Sequence, residues 1–428
     1  MKPLFVRLDV EDWLTPASTW ALDGILGVLA ERGLAAHFAL VGKKARQLAG
    51  SGRSDLLARM AAQGIVGSHS WSHSEHPTLA EELEPLPAET ARARLIEREQ
   101  PTVDLLTRLG VAPRFFTQPG GNWLPDMSGS AGRALGFAAV LSESWNSYLE
   151  PTPGPMWYGD LLYWAPAVDL PKGLFFRLPE PDAVQEGAEA LRAAWRAGRT
   201  AVLVAHPTEL VTTAFWDQRN FHEGAAHGPA LPGPARPAAA WQPALDGLAR
   251  MLDALWDSSG GPESVTVDQW LGTAVAPAPT PVDRLELADV LRHVGVGPAR
   301  LTHGSLSAAE IAWALAHGEA GGGDMAVVPP VGAPAGRWPD GGADGILAAH
   351  AAWGHLPAVV GSVALGDWVA GAGERLAGTA PRSTWREAVR GPAALHWDWP
   401  IFPPGFTAPR LLAEAQRLAW TLKPLVAR

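Results

Sequence analysis

Residues 65–76 read Ile-Val-Gly-Ser-His-Ser-Trp-Ser-His-Ser-Glu-His, an apolar run that passes into a polar turn with two histidines four positions apart. On a helix, or in a tight turn after a strand, this spacing brings both imidazoles to one side. Zinc proteases of the helical type need a glutamate after the first histidine, and Ser70 stands there instead. Taken alone, the pair is as compatible with structural histidines as with metal ligands.

A cluster of carboxylates follows an earlier apolar run, in which residues 4–13 read Leu-Phe-Val-Arg-Leu-Asp-Val-Glu-Asp-Trp. Asp9 and Glu11 share one face of an extended strand, and Asp12 can turn inward where the strand ends. Three carboxylates buried together repel one another unless a cation or a proton relieves the repulsion. With His69 and His73 they provide donors for a divalent metal ion and leave one acid available as a base.

Composition narrows the possible functions. The 428 residues include 34 basic and 44 acidic side chains, giving a formal charge of -10, and no run is rich in Lys or Arg. Nucleic acid and anionic membranes are therefore poor partners. The chain has no cysteine, which excludes thiolate catalysis, disulfides and cysteine-ligated metals. Any transition metal must be held by His, Asp or Glu.

No export signal or membrane span is expected. Residues 1–4 lead directly into a strand-like run without a basic start or a cleavage site, and no run of about 18 apolar residues follows. We therefore expect a cytoplasmic protein.

Short apolar runs alternate with helical segments up to about residue 206, the pattern of parallel strands joined by helical crossovers. The pattern predicts an α/β fold, a distorted (β/α)7 barrel in which functional residues follow the carboxyl ends of strands. The candidate residues occupy such positions, after the first, third, fourth and seventh runs. The predicted strands are Leu4–Leu8, Ala36–Val41, Ile65–Gly67, Phe115–Thr117, Ala138–Leu141, Leu174–Arg177 and Ala201–Ala205.

The chain is long enough for two domains. We expect the barrel over residues 1–273, a Pro-rich linker over 274–283, and a smaller, mostly helical domain over 284–428. A weak internal repeat relates the stretch that begins at Pro298 to the one that begins at Pro357. The role of this second domain is open, and it could bind a protein partner or mediate self-association.

These residues together give the N-terminal region its resemblance to the polysaccharide deacetylase family, carbohydrate esterase family 4, also called the NodB homology domain. The second family motif is the most specific, with His69 and His73 in His-Ser/Thr-x-x-His spacing. The family's fourth motif, normally an Asp and Trp pair, has its nearest counterpart in residues 142–145, which depart from it. The other matching stretches are residues 5–13, 114–123 and 203–207.

The resemblance implies metal-dependent hydrolysis of an N-acetyl amide on a carbohydrate, with zinc as the expected ion. Asp9 would take the role of catalytic base and His206 that of catalytic acid. Arg114 would keep the base ionised by charge pairing. His69 and His73 would ligate the metal.

Two aspects of the implied site stay open. The third metal ligand is either Glu11 or Asp12, because the family contains both arrangements. The side chains expected to touch substrate are those of Trp13, Pro119, Gly120, Gly121 and Trp123. For the tryptophans, core packing and stacking on sugar rings are both possible.

A segment of unusual composition, residues 207–222, follows His206. It is interpreted either as a lid that narrows the substrate range or as an ordinary packed loop. The expected substrate is an N-acetylated sugar in soluble, nucleotide-linked or lipid-linked form. The alternatives are a metal-dependent amidohydrolase acting on a cyclic or other non-sugar amide, and an inactive module that binds a glycan or a protein.

Overall fold

The computed structural model describes residues 2–120, 131–142, 154–224, 230–276, 278–294, 298–321, 327–328, 359–360, 363–364, 371, 374, 401–411, 418 and 421–426. The strands that build the main sheet are β1 Pro3–Val10, β2 Ala36–Leu40, β3 Gly64–Ser68, β4 Phe115–Phe116, β5 Ala139–Leu141, β6 Met156–Tyr158, β7 Leu161–Trp164, β8 Ala201–Ala205 and β9 Glu263–Ser264. The helices around them are α1 Ala17–Glu31, α2 Gly42–Gly50, α3 Ser54–Gln63, α4 Leu79–Leu83, α5 Ala88–Arg108, α6 Gly132–Ala134, α7 Leu174–Arg177, α8 Pro181–Arg196, α9 Trp216–Phe221, α10 Trp241–Asp253 and α11 Val267–Thr273.

The sheet runs in the order β8-β1-β2-β3-β4-β5-β7, and neighbouring strands in this series are parallel. Six of these seven strands are predicted ones, and the α/β class and the distorted (β/α)7 fold are confirmed. Within the described residues, β7 and β8 form no ladder. Asp169, in the segment that follows β7, instead bonds to β8: its backbone N–H donates to the Val202 carbonyl, and its carboxylate accepts from the Val202 N–H.

Strand β1 explains how the fold positions polar residues inside the sheet. Leu4, Val6, Leu8 and Val10 pack into the core beneath the helices. On the opposite face, Phe5 packs inside the curled sheet with side chains of the other strands. Because side chains alternate, Arg7, Asp9 and Glu11 continue the face of Phe5 toward the carboxyl end of the strand. The interior is therefore apolar at the amino end and charged at the carboxyl end.

One predicted strand is wrong. Leu174–Arg177 forms the short helix α7, and the buried guanidinium of Arg236 donates to the carbonyls of Phe175, Phe176 and Leu178 around it. An apolar run of four residues does not distinguish a strand from a helical turn. Strand β7 supplies the missing member of the sheet. It pairs with β6 across the turn at Gly159-Asp160, a hairpin signal that is visible in the sequence.

The C-terminal part of the chain contains helices and short two-stranded sheets. Its helices are α12 Arg284–Val294 and α13 Ala308–Gly321, and its strands are β10 Thr280–Pro281, β11 Ala299–Leu301, β12 Gly304–Leu306, β13 Val327–Val328, β14 Val359–Val360, β15 Val363–Ala364 and β16 Leu422–Pro424. The two copies of the weak repeat each form a hairpin, with Leu301 opposite Gly304 in the first and Val360 opposite Val363 in the second. Strand β16 pairs antiparallel with β6 and so extends the barrel sheet.

Candidate active site and metal centre

The two histidines of the opening motif lie in a tight turn after β3. Ser70 and His73 adopt left-handed backbone angles, with φ of 64° and 54°, a conformation that costs about 1–2 kcal/mol for a residue with a side chain. The His73 N–H donates to Ser70 Oγ, which helps to hold the turn. As a result the two buried imidazole rings lie 5.1 Å apart between centroids.

Glu11 completes a three-residue cluster with these histidines. Its Oε2 lies 2.8 Å from His73 Nε2 and 3.7 Å from His69 Nε2. One ligand atom from each of the three residues falls within 4.8 Å of the other two. All three side chains are buried.

The outer ring nitrogens of the histidines are engaged elsewhere. His69 Nδ1 lies 2.8 Å from the Thr117 carbonyl oxygen, and His73 Nδ1 lies 2.8 Å from Ser74 Oγ. These contacts favour a ring N–H on Nδ1, so that Nε2, on the side of Glu11, is the nitrogen that would ligate a metal ion. Two imidazole nitrogens and one carboxylate oxygen form the donor set of a catalytic zinc site, so the residues fit the implied metal.

Asp12, the other candidate ligand, has a different environment. Its Oδ1 accepts from the backbone N–H groups of Leu14 and Thr15, and its Oδ2 accepts from Thr208 Oγ1 at 2.6 Å. Burial raises its pKa in spite of these hydrogen bonds. Asp12 therefore fixes the loop between β1 and α1 to the loop after β8, and the geometry favours Glu11 as the third ligand.

Asp9 lies beside the cluster and is paired with Arg7. The guanidinium donates from Nε to Oδ1 and from Nη2 to Oδ2, each over 2.8 Å, and both side chains are buried. Burial raises the pKa of Asp9, but the charges of Arg7, His69 and His206 outweigh that effect and lower it. Asp9 is therefore held as a carboxylate.

The prediction that Arg114 pairs with Asp9 is wrong. Arg114 is exposed and donates to Asp268 at 3.0 Å, because the residue falls before β4, on the amino side of the sheet. Arg7 takes the pairing position, two residues before Asp9 on the same strand face. A basic residue inside a buried apolar strand was the sequence signal for it.

His206 follows β8 and faces Asp9. Its Nε2 lies 3.6 Å from Asp9 Oδ2, and its Nδ1 lies 2.7 Å from Glu209 Oε1. Burial lowers the pKa of His206, but Glu11, Glu209 and Asp9 raise it to about 10. The imidazole therefore carries a proton at neutral pH. Glu209 was not among the predicted site residues, although its spacing of three from His206 is visible in the sequence.

The segment after His206 contributes two further buried residues from α9. Trp216 Nε1 donates to Glu11 Oε1 at 2.9 Å. Asp217 Oδ2 accepts from Ser74 Oγ at 3.1 Å and lies 3.5 Å from His73 Nδ1. This part of the segment packs against the three-residue cluster, which agrees with a packed structure better than with a mobile lid.

A cavity of about 420 Å³ opens over these groups. Its polar side carries Asp9, the three-residue cluster and His206, and Gly120 lies at its edge. The rest of the wall is mainly apolar, with Val168, Leu170, Pro171, Phe175, Val204 and Phe215, but it also includes Gln118, Lys172, Glu209 and Asp217. A cavity of this size and character is suited to a small organic group.

The other expected substrate residues are distributed differently. Pro119 is buried and does not line the cavity. Trp13 packs edge-on against Trp216 at 4.5 Å and also lies outside the lining. Gly121 and Trp123 are outside the described residues.

The family comparison matches a region that contains His69 and His73. Residues 15–140 match the family model described as polysaccharide deacetylase. The resemblance deduced from the sequence is therefore confirmed for the N-terminal part of the chain. No curated protein matches the chain.

Several solved structures are similar at low identity. A 4-alpha-glucanotransferase from Thermococcus litoralis has 12% identity and a TM-score of 0.39, over 63% of this chain and 38% of that one. The Xyl-CE4 domain of a multidomain xylanase from the hindgut metagenome of Trinervitermes trinervoides has 15% identity and a TM-score of 0.33, over 63% and 88%. A family 4 carbohydrate esterase from Streptomyces lividans has 18% identity and a TM-score of 0.31, over 58% and 88%. The chain spans well under half the length of the glucanotransferase.

Proposed function

We propose that this protein hydrolyses the N-acetyl amide of a carbohydrate with the help of a divalent metal ion, for which zinc is the expected choice. The observation that supports this most strongly is the convergence of Glu11, His69 and His73 on one point in the same cavity as Asp9 and His206. A base, an acid and a cation site are the three parts that amide hydrolysis of this type needs.

When bound, the ion would polarise the carbonyl of the scissile amide. Asp9 takes a proton from the attacking water, and the bidentate contact with Arg7 keeps its carboxylate ionised and oriented. His206 donates its Nε2 proton to the departing amine. Glu209 accepts a hydrogen bond from His206 Nδ1, which orients Nε2 toward Asp9 and the cavity.

The volume of the cavity limits the size of the group that can enter it. Its volume suits a single sugar unit or the acetylated end of a larger glycoconjugate. We propose a soluble, nucleotide-linked or lipid-linked N-acetyl sugar as the substrate class, acted on in the cytoplasm. Within the described residues, no helix is long and apolar enough to cross a bilayer.

Metal analysis and an acetate-release screen over N-acetyl sugars test the proposal. The purified protein should hold about one zinc or similar ion per chain, and His69→Ala or His73→Ala should abolish both metal binding and acetate release. Asp9→Asn should keep the metal and stop turnover. A wild-type protein that binds no divalent metal would refute the proposal and favour a binding module. Release of product only from non-sugar amides would instead favour the amidohydrolase alternative.

A further inference from the structure

Helix α9 packs against the proposed metal cluster, and its Asp217 also lines the cavity. Trp216 has none of its surface exposed and Asp217 only 1%, and each contacts a different member of the cluster. Trp216 reaches Glu11, whereas Asp217 reaches His73 through Ser74. Neighbouring residues of a single short helix thus contact both a carboxylate ligand and an imidazole ligand.

The indole contact selects which oxygen of Glu11 is presented. Nε1 of Trp216 donates a hydrogen bond to Oε1 of Glu11, and the other oxygen, Oε2, faces the Nε2 atoms of both histidines. A carboxylate with one oxygen held by a donor cannot rotate freely between one-oxygen and two-oxygen binding. Trp216 therefore fixes Glu11 for binding through Oε2.

The Asp217 contact selects the tautomer of His73. Ser74 Oγ donates its proton to Asp217 Oδ2, so it must accept the proton on His73 Nδ1. The lone pair is then on Nε2, on the side of Glu11. Asp217, which is two hydrogen bonds away from the His73 ring, thus determines which ring nitrogen is free to ligate.

The helix itself is held in place by the segment that follows it. Asn220 Nδ2 donates to the carbonyls of Trp216 and Leu231, and Asn220 Oδ1 accepts from the Leu231 N–H. Arg219 Nη1 donates to the Pro232 carbonyl at 3.0 Å. The contacts of α9 with the cluster are therefore supported by a fixed backbone rather than by a loose loop.

We infer that Trp216 and Asp217 are positioning residues that set the metal affinity of the Glu11-His69-His73 cluster. The inference rests on the proposed function, because it assumes that the cluster binds a metal ion. Outer contacts of this kind typically change metal affinity by about 10–100-fold.

The test is zinc affinity, measured by competition with a chelating dye, in purified full-length variants. Trp216→Phe removes the indole donor and keeps an aromatic ring. Asp217→Asn allows the amide to donate to Ser74, which reverses the hydrogen bond and favours a proton on His73 Nε2. Each variant should bind zinc about 10–100-fold more weakly than the wild type. The rise in Tm on zinc addition should shrink accordingly.

A matched control is Trp195→Phe, which removes an indole donor to the Pro3 carbonyl far from the cluster. It should leave zinc affinity unchanged. Ser74→Ala combined with Asp217→Asn should be no weaker than either single variant, because both act through one relay. Zinc affinity equal to wild type in both Trp216→Phe and Asp217→Asn would overturn this inference alone. A wild type that binds no zinc or other divalent metal would overturn the proposed function as well.

Discussion

At the scale of single residues, the adjacent acids Glu11 and Asp12 point in different directions and have different partners. Glu11 faces the two histidines, whereas Asp12 accepts hydrogen bonds from the loop and from Thr208. The difference arises because β1 ends at Val10 and the backbone turns between the two residues. Adjacent carboxylates are therefore directed to different parts of the fold.

Substitution of these two acids should separate metal binding from loop stability. Glu11→Gln should lower zinc affinity by about 100-fold or more, since it removes the charged donor of the cluster. Asp12→Asn should keep zinc affinity within a few-fold and lower the free energy of unfolding by about 1 kcal/mol, through weaker hydrogen bonds. Isothermal titration with zinc and urea unfolding measure the two effects. Loss of zinc in Asp12→Asn with retention in Glu11→Gln would reverse the ligand assignment.

The two arginines give a second comparison at this scale. Arg7→Met should raise the pKa of Asp9, because the carboxylate stays buried and loses its neighbouring positive charge. The acidic limb of the pH profile of kcat/KM should then move to higher pH, and turnover at neutral pH should fall. Arg114→Met, at an exposed position, is the matched control and should leave the profile unchanged. A shifted limb in Arg114→Met alone would contradict the Arg7 pairing.

At the scale of elements, helix α5 supports the turn that carries the histidines. Glu99 of α5 is fully buried, and its Oε1 accepts from the Trp71 N–H at 3.4 Å. Its Oε2 has no hydrogen-bond partner among the described residues. Burial raises the pKa of Glu99 to about 7.

This raised pKa predicts a pH-dependent stability. Between about pH 4.5 and pH 7 the folded state keeps the Glu99 proton that the unfolded state has lost, so stability falls as the pH rises through that window. Glu99→Gln should remove this dependence. The variant should match the wild type near pH 4 and exceed its free energy of unfolding above pH 7 by on the order of 3 kcal/mol at most. Urea unfolding at several pH values checks this, and equal stability at pH 8 would show that the carboxyl ionises without cost.

Elements also show why some predictions failed. Helical segments between the strands were predicted and are observed, as in α1, α5 and α10, because a long apolar stripe is a local signal. The run Leu174–Arg177 is too short for such a signal, and contacts with Arg236 decide its helical form. In the β6–β7 hairpin, the turn residues are visible in the sequence. The place of β7 in the sheet depends on pairing with β5, which is distant in the chain.

At the scale of the whole molecule, the C-terminal strand β16 is part of the barrel sheet. Lys423 of this strand lies 3.0 Å from Glu310 Oε1 at the start of α13, and both side chains are buried. Glu310 also caps α13, because its Oε2 accepts from the Ser307 N–H. One buried ion pair therefore links the barrel sheet to a helix of the C-terminal part.

The ion pair predicts a strongly non-additive double-mutant cycle. Lys423→Met should lower the free energy of unfolding by about 3–5 kcal/mol, because it takes the ammonium away from a buried carboxylate. Adding Glu310→Gln removes the buried charge, keeps a capping side chain and should restore most of that loss. Urea unfolding of the single and double variants measures the coupling. Additive effects would show that the pair does not couple the two parts of the chain.

The sequence by itself determined the α/β barrel and brought Asp9, His69, His73 and His206 to the ends of its strands. It could do so because periodicity, strand ends and the His-x-x-x-His spacing are local properties. Only the tertiary structure decided that Arg7 rather than Arg114 pairs with Asp9, and that Glu11 rather than Asp12 faces the histidines of residues 65–76. Such choices depend on the direction in which each side chain leaves the backbone. They also depend on partners far along the chain, such as Thr208 and Trp216, that folding alone brings into contact.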